Sequence, residues 1–174
     1  MEYFVGIDVG KSGGFAFFDY EGNLDKVMPM PVIGTEYNLP YIFNIFQYHP
    51  IAHLVIEDVH AIFGSSAKAT FNFGFGKGIL VAFAAAHEIP YTLVAPKVWQ
   101  KEMWQGGKII TNPTKRLLKN GTFAKKTDTK KTSLLAVGRL FPKESFLASE
   151  RSKKPHEGMI DAALMGEYCR RKFR

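Results

Sequence analysis

The chain has 174 residues, 46% of them hydrophobic and 14% aromatic, and 23 Lys/Arg against 16 Asp/Glu give it a net charge of +7. That length and hydrophobicity fit one globular domain with a full core and exclude a disordered chain. No apolar run approaches a membrane span, the first residues lack a charged-then-apolar signal pattern, and the single Cys169 excludes an internal disulfide or a Cys-based zinc site. A reducing cytoplasm is the expected compartment. The charge is unevenly placed: residues 1–96 hold 4 Lys/Arg against 9 Asp/Glu, whereas residues 97–174 hold 19 against 7. An acidic half joined to a strongly basic half suggests metal-holding acids beside a surface that takes a polyanion, here nucleic acid.

In chain order, residues 3–9 and 14–20 read as two paired strands around Gly10, Gly13 and Gly14. Asp8 interrupts the first apolar run, where a charge is costly to bury unless something pairs with it. It is either a turn cap or a ligand group. A turn at Glu21-Gly22-Asn23 leads to a third strand around Val27-Met28, ended by Pro29 and Pro31. Leu39, Ile42, Phe43 and Phe46 have helical spacing and predict a helix over 39–48. The run AHLVIEDV at 52–59 then predicts a buried parallel strand with Glu57 at its C-terminal end, where ligands gather in open α/β sheets. Asp58 points to the opposite face, and the following loop is expected to leave it in solvent.

The small-residue loop 61–66 carries one aromatic, Phe63. A helix of small and apolar residues is predicted over 74–87, buried on nearly all sides in the core or against a second copy of the chain. Residues 90–94 predict another strand, and a basic helix starts at Lys97. Residues 106–131 are polar, basic and punctuated by Gly and Asn. They read as an insertion with at most one short helix around Thr114–Leu118, and Lys125, Lys126, Lys130 and Lys131 are its phosphate-contact candidates. Helices are expected over 132–140 and from Pro155 to the basic C-terminus, with a basic linker at 144–154 between them. Glu157 and Asp161 lie four residues apart on one face of the last helix and repel unless a cation stands beside them.

Three N-terminal antiparallel strands followed by alternating helices and strands predict an α/β fold with a mixed sheet. Asp8, Glu57 and Asp161, far apart in sequence, each interrupt an apolar run. Converging carboxylates need cations, and hard oxygen ligands select Mg²⁺ or Mn²⁺. Two such ions about 3.5–4 Å apart are the usual arrangement for in-line phosphodiester hydrolysis. With the basic C-terminal half, this chemistry points to a nuclease.

The blocks VGIDVGKSGG, VIEDVHAIFGSSAKATFNFGFGKGIL, LVAPKVWQK, TSLLAVGRLFP and HEGMIDAALMGEYCRR, in this order over nearly the whole chain, resemble a phage-type member of the RuvC Holliday-junction resolvases. The resemblance implies a single ribonuclease H-like nuclease domain over 1–174, a homodimer, divalent metal, and paired cuts in a four-way DNA junction. It also implies the cytoplasm of a bacterium, as a bacterial protein or that of a phage in its host. It carries catalytic and metal-binding roles onto Asp8, Glu57 and Asp161. Many members place a further acid or His three residues before the last Asp. That position is Gly158 here, so Glu157 is the substitute and His156 the alternative. Phe63 fits the aromatic that meets distorted bases at the crossover, or else a loop aromatic tucked onto the core. Lys77, Lys97, Lys101, Lys130, Lys131 and Arg139 are the candidate phosphate contacts. A sugar-kinase or actin-like ATPase would also open on a strand, an Asp and a Gly-rich turn, but needs a second domain and phosphate loop. A non-catalytic branched nucleic-acid-binding module and a less selective branched-DNA nuclease remain as other readings.

Overall fold

The computed structural model describes residues 2–58 and 66–174. Strand β1 (Tyr3–Asp8) pairs antiparallel with β2 (Gly14–Phe18), with Phe4 opposite Phe18 and Asp8 opposite Gly14. The antiparallel β3 (Leu24–Pro29) follows a turn held by Asp19, whose carboxylate accepts the Gly22 and Asn23 N–H groups at 2.7 Å each. A short ribbon, β4 (Val32–Ile33) with β5 (Glu36–Tyr37), leads into α1 (Leu39–Tyr48), capped by Asn38. β6 (Ile51–Glu57) then lies parallel to β1, and β7 (Tyr91–Val94) parallel to β6. The resulting mixed sheet has the order β3-β2-β1-β6-β7, as the N-terminal strand pattern leads one to expect.

The period of two sorts the strand residues onto two cores. Val5, Ile7, Phe15, Phe17, Leu54 and Ile56 face α1 and α2 (Ala67–Ala86). Phe4, Ala16, Phe18 and Val55 face α3 (Pro96–Met103), α4 (Thr129–Leu140) and α5 (Glu157–Phe173). The last helix lies directly on the sheet because small residues meet there. A Cβ on Gly6 of β1 would overlap the Gly166 nitrogen and the Ala162 carbonyl of α5, and one on Gly166 would come within 2.7 Å of the Phe18 ring.

Several sequence expectations change. The helix predicted from residue 74 begins about two turns earlier, at Ala67, because Ser66 caps it by accepting the Ala69 N–H at 3.1 Å. It is also not buried all round: its buried residues are Gly76, Leu80 and Ala84, while Phe71 is 71% exposed. At 20 residues and a mean hydropathy of 1.3 it reaches membrane-spanning length by composition, contrary to the sequence reading. Its mid-helix Lys77, however, is ion-paired to Asp58 at 2.8 Å, which builds it into the fold. Asp58 is accordingly half-buried and not left in solvent, since the face opposite Glu57 is the one that α2 covers. The short helix around 114–118 is instead a hairpin, β8 (Thr111–Leu117) with β9 (Phe123–Thr127), turning at Asn120-Gly121 with Gly121 at φ +78°. The last helix starts at Glu157 and not at Pro155, with His156 as its cap.

Because the Gly6 overlap involves backbone on both sides, Gly6→Ala is expected to lose about 3 kcal/mol or more of stability in a urea titration. An unchanged midpoint would show that α5 can lift off the sheet freely.

Candidate functional site

The parallel register places Gly6 beside Val55 and Ile7 beside Ile56, so the next residues toward the C-terminal ends, Asp8 and Glu57, are neighbours on the α5 face. α5 runs back along β1, with Ala162 to Gly166 over Gly6 and Gly158 over the β1–β2 turn, which brings Asp161 to the same end. The three acids are half-buried. Glu57 acts electrostatically on Asp8, and Asp161 acts on both. A cleft of about 390 Å³ over Asp8 and Asp161 is walled by Ser12, Ser152, Lys154, His156 and Glu157.

The electrostatics follow from burial and like charge. Burial raises the Asp8 carboxyl well above its usual range, and Glu57 and Asp161 push it further. Glu57 is pushed up to about 7, first by burial and then by Asp161, against the Trp99 indole, whose Nε1–H donates to Oε1 at 3.2 Å. Asp161 is raised to about 6, mainly by burial. The Ser133 hydroxyl beside it pulls the other way, although neither Ser133 Oγ nor Asp161 Oδ1 has a partner at ordinary hydrogen-bond geometry among the described residues. An all-carboxylate set with an orphaned buried oxygen is the chemistry of a hard divalent cation. No group of three or more His, Cys, Asp or Glu among the described residues already stands at metal-ligand spacing.

The other predicted site residues are distributed as follows. Glu157 is exposed at the rim and ion-paired with Lys130 at 2.7 Å. His156 Nδ1 accepts the Met159 N–H at 3.2 Å, so that nitrogen is spent on capping α5. Gly158 has no room for the acid or His that the resemblance would place there, because any Cβ would overlap Ser12 and Gly13 backbone. Lys97 and Lys101 are exposed on α3. Lys77 is held by Asp58, Lys131 stands 3.6 Å from Asp128, and Arg139 donates to the Met103 carbonyl at 3.1 Å. Phe63 lies outside the described residues. Sequence reasoning missed Trp99 and Ser133 as neighbours of the acids. The indole is fully buried on the face of α3 turned to the sheet, a position readable from helical spacing, whereas nothing in the sequence marks Ser133.

No protein-family model matches the chain, and no curated protein is similar to it in sequence. Among solved structures, Thermus thermophilus RuvC in complex with a Holliday junction substrate superposes over 99% of this chain and 98% of its own, with a TM-score of 0.58 at 13% identity. A second Thermus thermophilus RuvC structure covers 97% and 96%, with a TM-score of 0.53 at 16% identity. The fold is that of RuvC. It is ribonuclease H-like, and the chain resembles RuvC in architecture over nearly its whole length.

The raised carboxyls mean that, from the ordinary carboxylate range up to about 7, the native protein holds more protons than the unfolded chain, so stability falls as pH rises through that window. Metal-free protein is therefore expected to melt at a lower temperature at pH 8 than at pH 5, with the difference flattened by Asp8→Asn. That comparison removes the contribution of His53, whose burial lowers its pKa and acts in the opposite sense. Equal slopes for the wild type and Asp8→Asn would show that the acids do not interact.

Proposed function

We propose that this protein is a divalent-metal-dependent endonuclease that resolves four-way and related branched DNA junctions by paired hydrolytic nicks, working as a homodimer. The observation that carries the reading is the convergence of Asp8, Glu57 and Asp161 at the carboxyl ends of parallel strands in a RuvC-like fold. One structure with this fold is RuvC in complex with a Holliday junction substrate.

The residues fit a hard cation: every donor is a carboxylate oxygen, and Asp161 Oδ1 is buried without a partner among the described residues. Asp8, Glu57 and Asp161 would hold Mg²⁺ or Mn²⁺, with Glu157 as a fourth ligand once it leaves Lys130. Such cations supply activation of the attacking water and stabilisation of the leaving oxygen. Around them, Trp99 fixes the Glu57 carboxylate, and the wall formed by the Ser12 and Gly158 backbones bounds one side of the cleft. Lys97 and Lys101 on α3 are free to meet phosphates, as are Lys130 and Lys131 if DNA displaces their surface partners. Lys77 serves the sheet through Asp58, and Arg139 ties α4 to α3, so their part is to hold the platform.

The surface proposed to join the two copies is α2. Phe71 and Phe75 stack at 6.3 Å and are both exposed. Together with Gly74, Gly78, Ala82 and Ala85 they form one uncovered face whose small residues allow a second helix to approach closely. Two copies joined there would present two carboxylate clefts to the two cut strands.

The deciding experiment is cleavage of a labelled four-way junction in Mg²⁺ beside linear duplex, with the wild type and Asp8→Asn. Symmetric nicks are expected, reduced about a thousandfold or more by Asp8→Asn, Glu57→Gln or Asp161→Asn while junction binding persists. Sedimentation should show a dimer that Phe75→Asp splits. Binding without cutting in either Mg²⁺ or Mn²⁺ would leave a non-catalytic junction-binding module, and equal cutting of duplex would remove junction specificity.

A further inference from the structure

We propose that the β8–β9 hairpin is a wedge for the branch point of DNA: its apolar tip stacks on a base pair exposed at the crossover, and its cations hold the flanking phosphates. The inference rests on the branched-DNA reading above and adds to it a second contact, outside the carboxylate cleft.

Residues 106–127 contain Lys108, Lys115, Arg116, Lys119, Lys125 and Lys126 and no Asp or Glu. None of these six cations forms an ion pair among the described residues, whereas Lys130 and Lys131, just beyond the hairpin, both do. An unneutralised ribbon of this kind is complementary to a phosphate backbone. The register places Leu117 directly opposite Phe123, so their side chains share one face next to the turn. They are 62% and 55% exposed, and Leu118 beside them is also exposed. The pairing is irregular between Pro113 and Leu117, so the extra residues of β8, Lys115 and Arg116 among them, stand out from the ladder just below the apolar pair. Lysines on an exposed strand discourage pairing between copies. They do not account for two facing apolar side chains left in water at the tip.

The hairpin is rooted at the site. Asp128, which caps α4, donates its N–H to the Ile110 carbonyl at 2.8 Å and accepts from Asn112 Nδ2 at 3.1 Å. Thr132 Oγ1 accepts the Ile110 N–H at 3.1 Å. The same turn of α4 carries Lys130 to Glu157 and Ser133 to Asp161. A strand lying across the carboxylates would therefore pass the base of the hairpin. Two-stranded ribbons enter DNA grooves, and Leu or Phe side chains wedge between base steps. In continuous duplex such a wedge must unstack bases. At a four-way crossover the base-pair faces are already interrupted, so the same tip favours the branch over the arms.

The test uses the full-length chain with Asp8→Asn, which removes cutting, and a four-way junction carrying 2-aminopurine at the crossover, beside a linear duplex. We expect the parent to prefer the junction and to raise 2-aminopurine fluorescence. Adding Leu117→Ser and Phe123→Ser should abolish the rise and weaken junction binding about tenfold, with duplex binding changed less than about twofold. Phe123→Trp should restore the preference, which a merely unfolded hairpin would not. Changing Lys115, Lys119, Lys125 and Lys126 to Gln should weaken both substrates and lower the salt slope by about one for each phosphate that is no longer neutralised. A tip variant that still opens and prefers the junction would overturn the wedge and leave the resolvase reading standing. A parent with no preference for the junction would overturn both.

Discussion

The constraint on which this structure turns is the presence of three carboxylates in one half-buried cleft. Like charges so placed cannot all ionise without help, and the protein shows the tension: burial and mutual repulsion hold Asp8, Glu57 and Asp161 all above the usual carboxylate range. The scaffold accepts that cost because the surrounding contacts leave the acids nowhere else to go. β1 and β6 fix two of them by register, and α5 fixes the third because Gly6 and Gly166 let helix and sheet backbones meet. Trp99 and Ser133 soften the arrangement, but neither carries a positive charge. The only cation engaged at the rim, Lys130, among the described residues, belongs to Glu157.

Around that centre the rest of the molecule divides its work by face. One side of the sheet is closed by α1 and a single stripe of α2, which leaves the aromatic side of α2 uncovered. The other side carries α3, α4 and α5 and, between α3 and α4, the basic hairpin. The early acidic bias and late basic bias of the chain thus map onto architecture: the strands bring two of the three central acids, and the later elements bring the cations.

Much of this was legible in the sequence, for reasons that differ between elements. The strands around Asp8 and Glu57 are readable because a charge inside an apolar run of strand length stands out, and the period of two assigns its face. Asp161 is readable because it breaks the apolar face of a helix. What was not legible is what depends on a partner in space. Thr114–Leu118 contains good helix formers and pairs as a strand only because the Asn120-Gly121 turn returns Phe123 against Leu117. The exposure of α2 could not be read from its composition, since an apolar helix looks the same whether its own core covers it or not. The fate of position 158 was decided by the backbone of a turn 145 residues earlier, at Gly13, so a missing ligand there reads from sequence as a substitution when it is a steric requirement.

The most direct test of the central claim is whether the carboxylates bind a divalent cation at all. Mn²⁺ binding to the full-length protein, followed by electron paramagnetic resonance at pH 8 without DNA, should saturate in the wild type and be lost in Asp8→Asn and Asp161→Asn, with folding intact by circular dichroism. Saturable binding that survives both substitutions, or none in the wild type, would contradict the account.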